Sequence, residues 1–240
     1  MGLHLPNFPQ AAMVIACTAL FWTGGDFAAT SLIDRQRVKQ LQELTEVVLR
    51  RSEAAIDFGA ETLDEVASRG PMDCDAAALQ AVRLQVYQRS AIKDIRSVNR
   101  DGSVICSAYS ETLEFDNARV DRTDMLAAPG RGLLLFRLDQ INGFALGVLH
   151  DIDDKKSLVA ILGIDSYVFD IMPADLRQHS AVTLELTSGL NVGRFAAFIS
   201  DTEDANRFGF SKTSERFPLR ATIRVNGEAL GNWNREPCKS

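Results

Sequence analysis

Apolar residues recur at helical spacing through a long N-terminal stretch and then switch to strand-like alternation, and this change of period divides the chain. From Asp34 to Arg69 they fall at Val38, Leu41, Leu44, Val48, Ala55, Phe58, Leu63 and Val66, close to a 3.6-residue period. The stretch has no proline and only Gly59 as a glycine, so it predicts a long amphipathic helix ending at Gly70-Pro71. Residues 34–70 are thus expected as a helical stalk. Thr45 and Ser52 interrupt the stripe, which leaves two uses open: a homodimer seam, or packing against its own domain.

A second, shorter amphipathic helix is predicted from Asp75 to Ser90, with Asp73 or Asp75 able to cap its first N–H groups. Ile92–Val98 and Ser103–Ser107 then flank Asn99-Arg100-Asp101-Gly102, a hairpin signal. Further strands are expected at Gly132–Leu138, Gly143–His150, Leu158–Ile164, Val182–Leu186, Phe195–Ser200, Phe208–Ser211 and Leu219–Val225. A short helix is expected around Asp165–Leu176, interrupted at Met172-Pro173. Helices first and a meander of strands afterwards predict an α+β fold with an antiparallel sheet.

Ahead of the stalk, Ala11 to Ile33 is apolar or small except for Asp26. A spanning helix needs about 20 such residues, so residues 1–33 are expected as a transmembrane anchor. A carboxylate at the bilayer centre costs roughly 3 kcal/mol, but Asp26 lies in the final third of the segment, within reach of an interface. A signal peptide cut near Ala28 is the alternative, disfavoured because no basic residue precedes the apolar run. Arg35, Arg37 and Lys39 follow it, so flanking charge alone would place the domain in the cytoplasm.

Composition narrows the partners. The chain is 46% hydrophobic and 24% charged, with a net charge of −6, which suits one sizeable core. The acidic balance and the absence of a basic cluster exclude nucleic acid as a partner. Of four cysteines, Cys17 lies in the apolar run and Cys238 in the polar tail, whereas Cys74 and Cys106 flank the second helix and the hairpin. No close pair has zinc-site or thioredoxin-like spacing, and no cofactor is implied. In a reducing compartment the two inner cysteines would be buried thiols; in an oxidising one they would pair.

The order of elements resembles the CSS-motif sensor domain, the periplasmic input domain of bacterial EAL-type cyclic-di-GMP phosphodiesterases. The likeness is carried by Leu49-Arg50-Arg51-Ser52-Glu53, by Cys74 through Val98, and by Gly102-Ser103-Val104-Ile105-Cys106-Ser107. The motif here reads Cys106-Ser107-Ala108 and lacks the second serine. The resemblance implies a membrane helix and long N-terminal helix followed by a PAS/Cache-like antiparallel sheet domain. It places the protein at the bacterial inner membrane with the sensor, residues 71–230, in the periplasm, and Cys74 and Cys106 in a regulatory disulfide with Ser107 as motif neighbour. The polar tail, residues 231–240, stands where the family continues into a second membrane helix and an EAL barrel. Implied partners are the membrane, periplasmic thiol-disulfide oxidoreductases, and an EAL-type output domain in cis or in trans. The chain itself is expected not to be an enzyme.

Other candidates are weaker. Glu228-Ala229-Leu230 spells the catalytic motif, but Gly231-Asn232-Trp233 does not continue it. His150-Asp151-Ile152-Asp153-Asp154 offers metal-type ligands without a second His-rich segment, which suits a solvated turn better than a hydrolase centre. Asp201, Glu203 and Asp204 lack calcium-loop spacing, and Gly130-Arg131-Gly132 lacks the third glycine of a nucleotide fingerprint. The competing functional reading is a small-ligand sensor whose disulfide is only a staple.

Overall fold

In this computed structural model the described residues are 8–70, 72, 74–100, 103–109, 123–124, 131–138, 143–164, 171–196 and 207–227, with residues 8–34 described by backbone alone. Helix α1 (Phe8–Ser68) joins two compact units, Met1–Leu41 and Gln42–Ser240. The side chains of the expected anchor lie outside the described residues, and among those described no helix is long and apolar enough to cross a membrane.

Within the second unit α1 is a core helix. Val48, Leu49, Ala55, Ile56, Ala60, Leu63 and Val66 are all buried, and Ile56 and Leu63 are fully enclosed. Thr45 and Ser52, the polar gaps in the sequence stripe, are buried, and so is Thr62. Helical hydroxyls can hide because they bond back to the preceding turn: Ser52 Oγ donates to the Val48 carbonyl at 2.9 Å and Thr62 Oγ1 to that of Phe58 at 2.7 Å. Phe58, expected on the stripe, is instead half-exposed, with the Arg89 guanidinium 5.2 Å from its ring centre. The helix ends before Gly70, whose φ of +115° suits a residue without a Cβ.

After α2 (Ala76–Gln88), strands β1 (Ile92–Asn99) and β2 (Val104–Ser107) form the predicted hairpin. They belong to a six-stranded antiparallel sheet with β3 (Thr123–Asp124), β4 (Arg131–Leu138), β5 (Gly143–Asp151) and β6 (Lys156–Leu162), in the order β2-β1-β6-β5-β4-β3. Beyond the short helix α3 (Ala174–Arg177), strands β7 (Ser180–Leu186), β8 (Asn191–Ala196), β9 (Arg207–Thr213) and β10 (Leu219–Asn226) make a second antiparallel sheet, ordered β8-β7-β10-β9. The α+β class and the long N-terminal helix agree with the sequence, but the strands divide between two sheets. β8 also starts earlier than Phe195, because Thr187 to Leu190 form a tight turn in which Gly189 takes a φ of +90°.

One helix serves both sheets. Glu46, Glu53 and Asp57 share a face of α1 and meet Lys212, Ser214 and Arg216, alternate residues in and after β9. Arg216 grips Asp57 with two bonds of 2.9 and 2.8 Å, and this contact raises the Arg216 pKa. Nearer its C-terminus α1 lies on the first sheet, where a Cβ at Gly59 would stand 3.1 Å from both Leu162 and Val148 side chains. Gly59→Leu is therefore expected to force helix and sheet apart and to destabilise the fold by about 1–3 kcal/mol, read as a lower urea midpoint.

Candidate functional site at the disulfide

The site begins where α1 has ended. Met72 is buried and fixes the chain, and two residues later Cys74 emerges to solvent. Asp75 then caps α2, its Oδ1 accepting from the Ala78 N–H at 2.8 Å. Cys74 is bonded to Cys106 on β2, with the Cα atoms 5.8 Å apart. Cys106 is half-buried and pairs with Ser97 of β1, and among the described residues β2 is the edge strand of the sheet. The covalent link thus joins the start of a helix to an edge strand of four residues.

Beside the link lies a buried polar network. Asp94 and Arg96 sit two apart on β1 and so share a face, and both are nearly inaccessible. Arg96 Nε donates to Asp94 Oδ2 at 2.7 Å, and Ser107 Oγ donates to the same oxygen at 2.7 Å. The Tyr109 N–H reaches Asp94 Oδ1 at 3.2 Å. Asp94 therefore holds β2 through the residues on either side of Ala108, immediately after Cys106. Pairing across the sheet puts Ile95, Ala160 and Val148 on the face that α1 covers. Asp94 and Arg96 occupy the opposite face, next to a cluster of Val98, Leu149, Val159 and Ile161.

Helix α2 has only Val82 and Val86 buried, so polar contacts carry much of its attachment. Arg83 Nε donates to the Ala108 carbonyl, and Tyr109 Oη donates to that of Arg83 at 3.3 Å. At the other end Arg89 bonds Thr62 and Glu65 of α1. The Arg89 hydrogen bond is the main cause that holds the Glu65 carboxyl below its ordinary range.

The remaining candidates separate from this site. His150 lies on β5 with Nδ1 3.0 Å from Asp64 Oδ1 of α1. Asp151 accepts from Ser157 Oγ at 2.7 Å. Asp153 accepts the Lys155 and Lys156 N–H groups, both at 2.7 Å, and these two bonds lower its pKa. The segment is the turn between β5 and β6, and no group of metal-type ligands assembles among the described residues. Gly130, residues 201–204 and Glu228-Ala229-Leu230 lie outside the described residues. Sequence reasoning missed the Asp94–Arg96 pair, whose signal was opposite charges two apart on a strand in register with Ser107.

A family model described as the CSS motif domain associated with EAL matches residues 37–235. Among solved structures, the chain is similar to the ligand-binding domain of the Pseudomonas aeruginosa amino acid chemoreceptor PctB in complex with L-Gln. That likeness has a TM-score of 0.52 and 12% identity, and covers 82% of this chain and 93% of that one. The same domain in complex with L-Arg gives 0.51 and 12% identity, covering 84% and 93%. The extracellular domain of rpHK1S-Z16, assigned as a histidine kinase, gives 0.50 and 10% identity, covering 85% and 98%. No curated protein matches the chain. At these identities the structural likeness establishes the fold alone: antiparallel sheets packed with a long N-terminal helix.

Truncating the two polar anchors should give graded losses. Asp94→Ala removes the buried carboxylate that Arg96, Ser107 and Tyr109 share, and an expected loss of about 3–5 kcal/mol of stability follows. Ser107→Ala removes one donor from a carboxylate that keeps two others, with an expected loss of about 1–2 kcal/mol. Denaturant unfolding of both proteins, disulfide intact, measures the order.

Proposed function

This chain belongs to the family of CSS-motif domains associated with EAL, and from that premise we propose that it is a membrane-anchored, redox-responsive periplasmic sensor regulating cyclic-di-GMP phosphodiesterase output. In this reading residues 1–33 anchor it in the bacterial inner membrane, residues 34–70 carry the signal, and residues 71–230 sense. Residues 231–240 lead towards an EAL-type output domain, supplied in cis or in trans. The oxidised domain restrains that output, and opening the Cys74–Cys106 bond releases it. Periplasmic thiol-disulfide oxidoreductases set the state of the bond.

The observation that carries this reading is where the bond lies. It is accessible through Cys74, and it holds an edge strand and a sparsely buried helix. A closed loop with sequence separation 32 is worth about 3–4 kcal/mol on the chain-entropy estimate. Burying Val82 and Val86 is worth about 1.5–3 kcal/mol each, so the cross-link is a comparable share of what holds this region, and reduction would loosen α2 and β2 first.

A second reading, a small-ligand sensor with a structural disulfide, is favoured by the Asp94–Arg96 pair. Charges buried on the sheet face away from α1 suit recognition of a polar small molecule, such as the amino acids found in PctB.

The two readings part in membranes that hold the chain together with its EAL-type output. Under the redox reading, dithiothreitol raises cyclic-di-GMP hydrolysis several-fold, and Cys74→Ser gives the raised rate without it. An unchanged rate after the bond is shown to be open would leave only the ligand reading.

A further inference from the structure

The two sulfurs of the bond differ in their surroundings, and this bears on how it opens. Cys74 is exposed, lies in an irregular segment between two helices, and is followed by the exposed residues Asp75, Ala76 and Ala77. Cys106 is half-buried within a strand. Its backbone is paired with Ser97, and the chain after it is held on Asp94 by Ser107 Oγ and the Tyr109 N–H and on Arg83 by the Ala108 carbonyl. Thiol exchange requires a thiolate to approach the attacked sulfur along the line of the S–S bond, so access to that sulfur helps to decide which one reacts.

We propose that Cys74 is the sulfur attacked by an incoming thiol, and that Cys106 is the leaving thiolate. The proposal rests on the redox reading above and adds the direction of the reaction. The attacking thiolate of a protein dithiol forms a bond to Cys74 Sγ as the Cys74–Cys106 bond breaks. The electron pair of that bond goes to Cys106, which takes a proton from water. The second thiol of the reductant, deprotonated, then attacks its own mixed disulfide and expels Cys74 as a thiolate. The reductant leaves as a disulfide, oxidised by two electrons, and the sensor gains two thiols. While the bond is closed, Ser107, Ala108 and Tyr109 tie the chain after Cys106 to β1 and α2, and attack falls on the more exposed sulfur, that of Cys74.

Glutathione serves as the monothiol probe, since it stops at the first step. The wild-type chain, oxidised, is exposed briefly to reduced glutathione, quenched in acid, labelled with N-ethylmaleimide and mapped by peptide mass spectrometry. The expected result is glutathione on Cys74 and maleimide on Cys106, in about tenfold excess over the reverse pattern. Glutathione on Cys106, or equal amounts on both, overturns the proposal. A bond that stays closed while the urea-unfolded chain is opened by the same glutathione overturns it too, because neither sulfur would then be accessible. Failure of the redox reading shows elsewhere, as hydrolysis that ignores an opened bond, so the two failures are told apart.

Discussion

The covalent link between Cys74 and Cys106 is the constraint on which the α2 and β2 region depends. Helix α2 buries two side chains, and β2 is a four-residue strand on a sheet edge. A helix of that length gains little from its own hydrogen bonds and needs tertiary contacts to persist. Ordinary domains are stable by only about 5–15 kcal/mol in total, so a cross-link worth about 3–4 kcal/mol is a large local share. The second sheet has no such dependence: Val182, Leu184, Ile223 and Val225 of its central strands are fully enclosed. The molecule thus has a firmly packed part and a part held by one reducible bond, two buried valines and a few polar contacts.

Helix α1 is what gives a local event at that bond a path to the rest of the structure. Its residues from Glu46 to Asp57 contact the second sheet, and those from Gly59 to Glu65 contact the first sheet and α2. Gly59 allows the close approach to Leu162 and Val148, and the buried hydroxyls of Ser52 and Thr62 fold back on the helix itself. The packed side is therefore continuous over both sheets. In the proposed sensor, loss of the Arg89 contacts at one end of α2 would remove a restraint from α1.

Much of the fold was legible because its signals are local. The period of α1, the Asp-Gly signal between β1 and β2 and the alternation of β7 and β10 are each read within about ten residues of sequence. The division of the strands between two sheets was not legible, because every strand reads alike until pairing partners are known. Burial on both faces hid the site: β1 reads as Ile, Lys, Asp, Ile, Arg, Ser, Val, which suggests one wet face, yet Asp94, Arg96 and Ser97 are all buried. Asp94 can be there because Arg96, Ser107 and Tyr109 satisfy it, and those partners come together only through register. The pair of cysteines was visible, but the exposure that distinguishes Cys74 from Cys106 depends on the position of Met72 and on the end of α1.

Native-state amide hydrogen exchange, compared between the oxidised and the reduced wild-type chain, tests the central claim most directly. If the bond holds a separable region, reduction strips protection from α2 and β2 and leaves β7 and β10 unchanged. Equal loss of protection across both sheets, or no change in α2 and β2, would contradict it.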